Sequence, residues 1–147
     1  MVIVWKEQLD DLPDKNKDGI SPVGVLRDAT RKEAQEEYSH SEVCDLVVAV
    51  SEATSNGLLH GSSVVGTIAR DHKKIRIEVA NSKIQGKRDF DCTRGEDTPL
   101  DEFVCHHRGL QIAKELLTPI GGALRLIKNG KTVIAIIEIA TKPKPTG

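Results

Sequence analysis

Apolar residues recur at helical spacing in three stretches and alternate at strand spacing in several others, and the order of these patterns sets the expected fold. Residues 2–5 predict a short edge strand, and the polar run from Asp10 to Gly19 predicts an exposed loop. With Ser21 as N-cap and Pro22 at the first helical position, Val25, Leu26 and Ala29 share one face of a helix that fades near Tyr38. Ser39 and Glu42 then make a capping-box pair ahead of Val43, Leu46, Val47, Val50 and Ala53, which predict a second helix to Leu58 with Gly61 as its C-cap. Around Asp71-His72-Lys73-Lys74, the segments 64–69 and 75–80 alternate as an antiparallel hairpin with one wet face: Ile75, Ile77 and Val79 fall between Arg76, Glu78 and Ala80. A third helix is expected from about Gly109 to Leu117. Strands over Ala123 to Lys128 and Thr132 to Ile139 flank Asn129-Gly130, a strong two-residue hairpin signal. Residues 82–106 carry Gly86, Gly95 and Pro99 and exceed the usual connection of about 4–6 residues, so they read as a lid, and 141–147 as a frayed tail.

Helix, helix, hairpin, long loop, helix, hairpin is the order of an α+β protein. The expected architecture is a two-layer α/β sandwich, a mostly antiparallel sheet with helices on one face, in a single domain over 1–147 with its core at about 21–140. At 147 residues and 38% hydrophobic composition the chain can bury a core without disulfides or metals. Its formal charge of −1 arises from 21 basic and 22 acidic residues mixed along the chain, so no basic face is expected to hold nucleic acid. Cys44, Cys92 and Cys105 do not read as a disulfide framework, which implies a reducing setting. Val2 to Trp5 is too short for a signal peptide and no apolar run reaches the roughly 20 residues of a membrane span, so a soluble, cytoplasmic protein is expected.

On the second helix Glu52, Asn56 and His60 fall one turn apart along one stripe. A carboxylate there can orient or deprotonate an attacking hydroxyl, and an amide oxygen one turn away can bind the Mg²⁺ that neutralises a triphosphate. Polar residues at this spacing otherwise mark a solvated helix face.

The segment Val50-Ser-Glu-Ala-Thr-Ser-Asn-Gly-Leu-Leu-His-Gly61 resembles the N-box of the anti-sigma-factor serine kinases, within the GHKL superfamily of Bergerat-fold, histidine kinase-like ATPases. The usual form there is Val-Ser-Glu-Ala-x-x-Asn-Ala-x-x-His-Gly. Three further parts follow in the expected order: Ile75 to Val79 leading to Asn81, His107-Arg108-Gly109-Leu110 opening a helix, and Gly130-Lys-Thr-Val133 starting the last strand. The resemblance covers about Ser41 to Ile139. It implies ATP and Mg²⁺ as cofactors, Glu52 as the catalytic residue activating the hydroxyl, Asn56 as the Mg²⁺ ligand and His60 as pocket wall. It also implies Asn81 and Thr132 at the adenine, with Arg108, Gly109 and Leu110 at the phosphates. Such proteins bind a sigma factor or an anti-anti-sigma protein, phosphorylate a serine on the latter, and pair as homodimers.

This chain departs from the pattern at the nucleotide loops. The family's Asp-x-Gly-x-Gly corresponds here to Asn81-Ser-Lys83-Ile-Gln85, and the glycine before Arg108 is replaced by His107. Loss of charge assistance makes a hydrogen bond about half as strong, and side chains at Lys83 and Gln85 stand where backbone should pass close to a ligand. Weak nucleotide binding is the expectation, and a nucleotide-free protein-binding adaptor on the same fold is the alternative. The chain ends soon after the last strand, which favours a stand-alone regulator over a histidine kinase.

Two metal patterns are weaker. Asp14-Lys-Asn16-Lys-Asp18-Gly19 copies the first half of a calcium loop, but Val25 occupies the twelfth position. Cys92, Cys105, His106 and His107 are numerous enough for a zinc site but not spaced as a known one.

Overall fold

The computed structural model describes residues 1–9, 22–83, 108–129 and 131–141. Strand β1 (Val2–Gln8) is followed by helices α1 (Pro22–Ala34) and α2 (His40–His60), then strands β2 (Gly61–Arg70) and β3 (Lys74–Lys83). After them come α3 (Arg108–Leu117), a 3-10 turn (Thr118–Ile120), β4 (Ala123–Asn129) and β5 (Thr132–Ala140). The strands form one sheet in the order β1-β2-β3-β5-β4, antiparallel at every junction. An α+β fold with helices packed on a five-stranded antiparallel sheet is what the pattern of the chain implies.

Local chemistry explains the element boundaries. The capping box opens α2 as expected: Ser39 N donates to Glu42 Oε1 at 3.0 Å, and Glu42 N donates to Ser39 Oγ at 3.2 Å. Asp71 closes the β2–β3 turn by accepting from the Lys73 and Lys74 amides, both at 2.7 Å. Those two amides hold its carboxyl below the usual carboxylate range. After the 3-10 turn, Gly121 adopts φ +72°, left-handed backbone that a side chain would strain, and its N–H returns to the Thr118 carbonyl at 3.1 Å.

Several boundaries differ from the sequence expectation: α1 ends at Ala34 rather than near Tyr38, α2 runs on to His60, and Asn129 pairs with Thr132 as the last residue of β4. Gly61 is not a C-cap; it already pairs with Lys83 as the first residue of β2, so α2 runs into the strand with no loop between them. The chain reversal is absorbed two residues later, at Ser63 (φ 51°) and in the register shift between Ser62 and Val65. Strand β3 continues through Ser82 and Lys83, which the reading above assigned to the lid, because Ser82 finds a ladder partner in Thr132. Edge strand β1 extends to Gln8, and Leu9 N donates to the Val64 carbonyl at 2.7 Å.

The core lies between the sheet and the helices. Ile68, Ile77, Ile137 and Leu124 stand opposite one another across four strands, and Val79, Ala135 and Leu126 make the next row. From above, Val43, Leu46, Val50 and Ala53 of α2 bury against them, with Leu110, Ala113 and Leu117 of α3 alongside. Each such aliphatic side chain contributes about 1.5–3 kcal/mol on burial. The other face carries charge, as the alternation implies, over a buried Ile136: Glu138 there gathers Arg76 at 3.3 Å, Arg125 at 3.7 Å and Lys74 at 3.8 Å. Arg70 binds Glu33 at 2.9 Å and also Glu37, fastening β2 to α1 and the turn after it.

Candidate functional site

The inner face of the sheet is apolar along most of its length and turns polar at one end. Beyond the Val79 row comes Asn81, paired to Val133, which is in turn paired to Lys128. Asn81 is only 4% exposed, and its amide Nδ2 is buried without a hydrogen-bond partner among the described residues. Buried polar atoms are almost always satisfied, so an orphaned donor calls for a ligand or a cause.

Helix α2 lies directly over this point. A Cβ built on Gly57 would meet Val79 Cγ1 at 3.0 Å, Asn81 Oδ1 at 3.5 Å and Val64 Cγ1 at 3.6 Å. The absence of a side chain at 57 is therefore what lets the last turns of the helix sit down on β3 beside the carboxamide. Two neighbours satisfy their hydroxyls within the helix: Ser51 Oγ and Thr54 Oγ1 each donate to the carbonyl four residues back, at 2.8 Å.

The predicted site residues distribute unevenly around this end. Glu52 and Asn56 are half-buried on the flank of α2 between its core stripe and its exposed stripe, and Asn56 adjoins Gly57. Both supply oxygen donors one turn apart, and Mg²⁺ on a triphosphate needs only one or two such protein ligands. The Leu110 side chain is 1% exposed and sits in the core, because Leu110, Ala113 and Leu117 form the apolar stripe of α3, so a role at the phosphates falls to its backbone amide in the first turn.

Thr132 is also displaced from its expected role. The register sets it opposite Ser82, on the wet face, and puts Val133 beside Asn81 instead. Strand parity carried that signal: Val133 shares the phase of Ala135, Ile137 and Ile139, and Thr132 does not. The same parity places Lys128 in phase with Leu124 and Leu126, a cation on the row of Asn81 that motif reasoning missed. Gly57 was likewise missed.

His60 closes α2 while Arg108 and Gly109 open α3, at the expected ends of their helices, but their side chains lie outside the described positions. So do residues 84–107, with Gln85, Cys92, Cys105, His106 and His107, and the Asp14 to Gly19 segment. Among the described residues no group of three or more His, Cys, Asp or Glu could hold a metal ion. No described helix is long and apolar enough to cross a membrane.

No protein-family model and no curated protein matches the sequence. Solved structures do match the fold. The nucleotide-free catalytic domain of histidine kinase ThkA aligns over 97% of this chain and 99% of its own, with TM-score 0.53 and 13% identity. Full-length ShkA in complex with AMPPNP aligns over 84% of this chain and 31% of its own, with TM-score 0.51 and 16% identity. Histidine kinase AdeS of Acinetobacter baumannii aligns over 81% and 64%, with TM-score 0.50 and 10% identity. The fold is that of a histidine kinase catalytic domain.

Proposed function

We propose that this chain is a nucleotide-binding regulator of the anti-sigma-factor type. It takes a sigma factor or an anti-anti-sigma protein as partner and uses ATP with Mg²⁺, weakly held, to phosphorylate a serine of the latter. The observation that carries the reading is the orphaned amide of Asn81 beneath the Gly57 turn of the helix that bears Glu52 and Asn56. An unpartnered buried donor costs about 1–3 kcal/mol, and a ligand that satisfies it is a reason for its presence.

In this reading Asn81 would meet the edge of the base and Asn56 would hold the Mg²⁺ through its amide oxygen, the ion supplying charge that neutralises the phosphates. Glu52 would take the proton of the attacking serine hydroxyl while the serine Oγ bonds to the γ-phosphorus and the bridging β–γ bond breaks, leaving ADP and phosphoserine. Backbone amides of Gly109 and Leu110 at the start of α3 favour the phosphates. Supporting the regulator class is the match from Val50 to Gly61, which holds at every specified position except 57, where glycine stands for the family's alanine. Supporting weak affinity are Asn81, Lys83, Gln85 and His107 where the family carries an aspartate and glycines.

Calorimetric titration with ATP and Mg²⁺ tests this. The expected dissociation constant is weaker than about 100 µM, with binding lost in Asn56→Ala. Tighter binding would refute the weakened site. No heat at millimolar ATP would leave the adaptor reading, which the departures at Asn81, Lys83 and Gln85 favour. If serine transfer to a co-purified partner proceeds unchanged in Glu52→Ala, the assignment of the base is wrong.

A further inference from the structure

Met1, Val2, Ile3 and Val4 are consecutive, large and apolar, and all are exposed, from 41% at Val4 to 69% at Val2. They open β1, the end strand of the sheet, which has no strand beyond it among the described residues. An edge of this kind offers a row of backbone donors and acceptors to another chain, and proteins ordinarily charge it, shorten it or cover it. Beside the edge, β1 and α1 enclose a groove of about 340 Å³. Its apolar walls are Val4 and Trp5 from the strand and Val25 and Ala29 from the helix. In a regular strand Val4 and Trp5 would point to opposite faces. Here Ile3 pairs with Ala69 and Trp5 with Ile68, so Val4 is the extra residue of a bulge and lines the same groove as its neighbour.

Charge along the groove is unequal. Asp28 lies 3.6 Å from both Arg27 and Arg31, and Glu33 lies 2.9 Å from Arg70. Lys32, exposed on the same stripe of α1, has no ion partner among the described residues. We propose that β1 and this groove dock an extended, acidic segment of a partner protein, which adds to the sheet beyond β1. Backbone pairing along β1 supplies affinity, and side chains at alternate positions of the added strand supply selectivity. Residues two apart on that strand face the same side, so an apolar side chain enters between Val4 and Ala29 while a carboxylate two positions away reaches Lys32. A second copy of this chain fits less well. It would offer β1 itself, whose Val4 and Trp5 already line the groove of their own α1. The proposal does not draw on the nucleotide reading, and its test is run without nucleotide.

Fluorescence anisotropy of a labelled peptide, Thr-Val-Thr-Val-Thr-Glu-Thr, titrated with the full chain tests it, beside the same peptide with lysine in place of glutamate. The glutamate peptide is expected to bind at least about threefold tighter, the scale of one exposed ion pair, and Lys32→Glu to invert that order. Val4→Lys, which puts a cation in the apolar groove, is expected to weaken both peptides at least about tenfold. Amide hydrogen exchange across residues 2–8 is expected to slow when the glutamate peptide is bound. Equal binding of the two peptides, a preference that Lys32→Glu does not move, or unchanged exchange in β1 overturns the proposal. So does failure of both peptides to bind at about 1 mM protein. Sedimentation velocity showing a dimer that Val4→Lys separates and the peptide does not displace assigns the edge to a second copy and overturns it as well. Circular dichroism confirms that Val4→Lys is folded, and Lys32→Glu changes only an exposed side chain.

Discussion

Replacing Asn81 by valine should make the ligand-free protein more stable, not less. Asn81 is 4% exposed and leaves Nδ2 unpaired among Val79, Val133 and the Gly57 turn. Removing an unsatisfied buried donor recovers a desolvation cost of about 1–3 kcal/mol. Valine suits a strand, but it branches at Cβ rather than at Cγ and falls short of the carboxamide's terminal atoms, and the gap returns about 1 kcal/mol. The net gain is about 1 kcal/mol, and for a domain of this size it raises Tm by roughly 2–4 °C. Thermal unfolding followed by far-ultraviolet circular dichroism reads this directly, and urea unfolding should show a higher midpoint at unchanged slope. The valine variant should also lose any rise in Tm on adding nucleotide. A fall in Tm of several degrees would refute the reasoning, because it would mean that the amide is satisfied in solution and holds the fold together.

Two further outcomes follow from polar contacts remote from the site. Tyr38, 6% exposed, donates its hydroxyl to the Ala140 carbonyl, and burial, then Glu42 and Glu37, push its pKa above the ordinary value of about 10. A folded-state value raised above the unfolded one gives stability that is complete below pH 10 and lost as pH climbs through the folded value. Tyr38→Phe should therefore cost about 1 kcal/mol at neutral pH and flatten the alkaline decline in urea midpoint. Arg70→Met removes the partner of Glu33 and Glu37, whose side chains are 27% and 14% exposed, and should cost about 1–2 kcal/mol. That gap should shrink as salt rises from about 10 mM to 1 M; a gap indifferent to salt would assign the loss to packing of the arginine stem instead.

Much of the fold is legible along the chain because its elements are locally consistent. The capping box at Ser39 and Glu42, the alternation from Ile75 to Val79 and the Asn129-Gly130 hairpin each involve neighbours in sequence, and periodicity reads such neighbours well. What periodicity does not reach is registration between distant strands. That Asn81 faces Val133 and not Thr132 is set by the β3–β5 ladder, which joins residues some fifty positions apart. Motif resemblance singles out Glu52 and Asn56 because they share one helix. It does not tell a side chain from a backbone: Leu110 starts a helix with its amide free of the ladder while its side chain belongs to the core. Gly57 escaped notice for a related reason: its importance is the distance to Val79 across the fold, and nothing within one helix reports that distance.

Helix α2 passes into β2 at Gly61 without an intervening residue to take up slack. The helix over the site and an inner strand of the sheet thus share one backbone, with its bend at Ser62 and Ser63. Only three residues separate the Gly57 turn from β2, and β2 in turn pairs from Val65 onward with the edge strand β1. The far end of that edge leaves Val2, Ile3 and Val4 open to solvent.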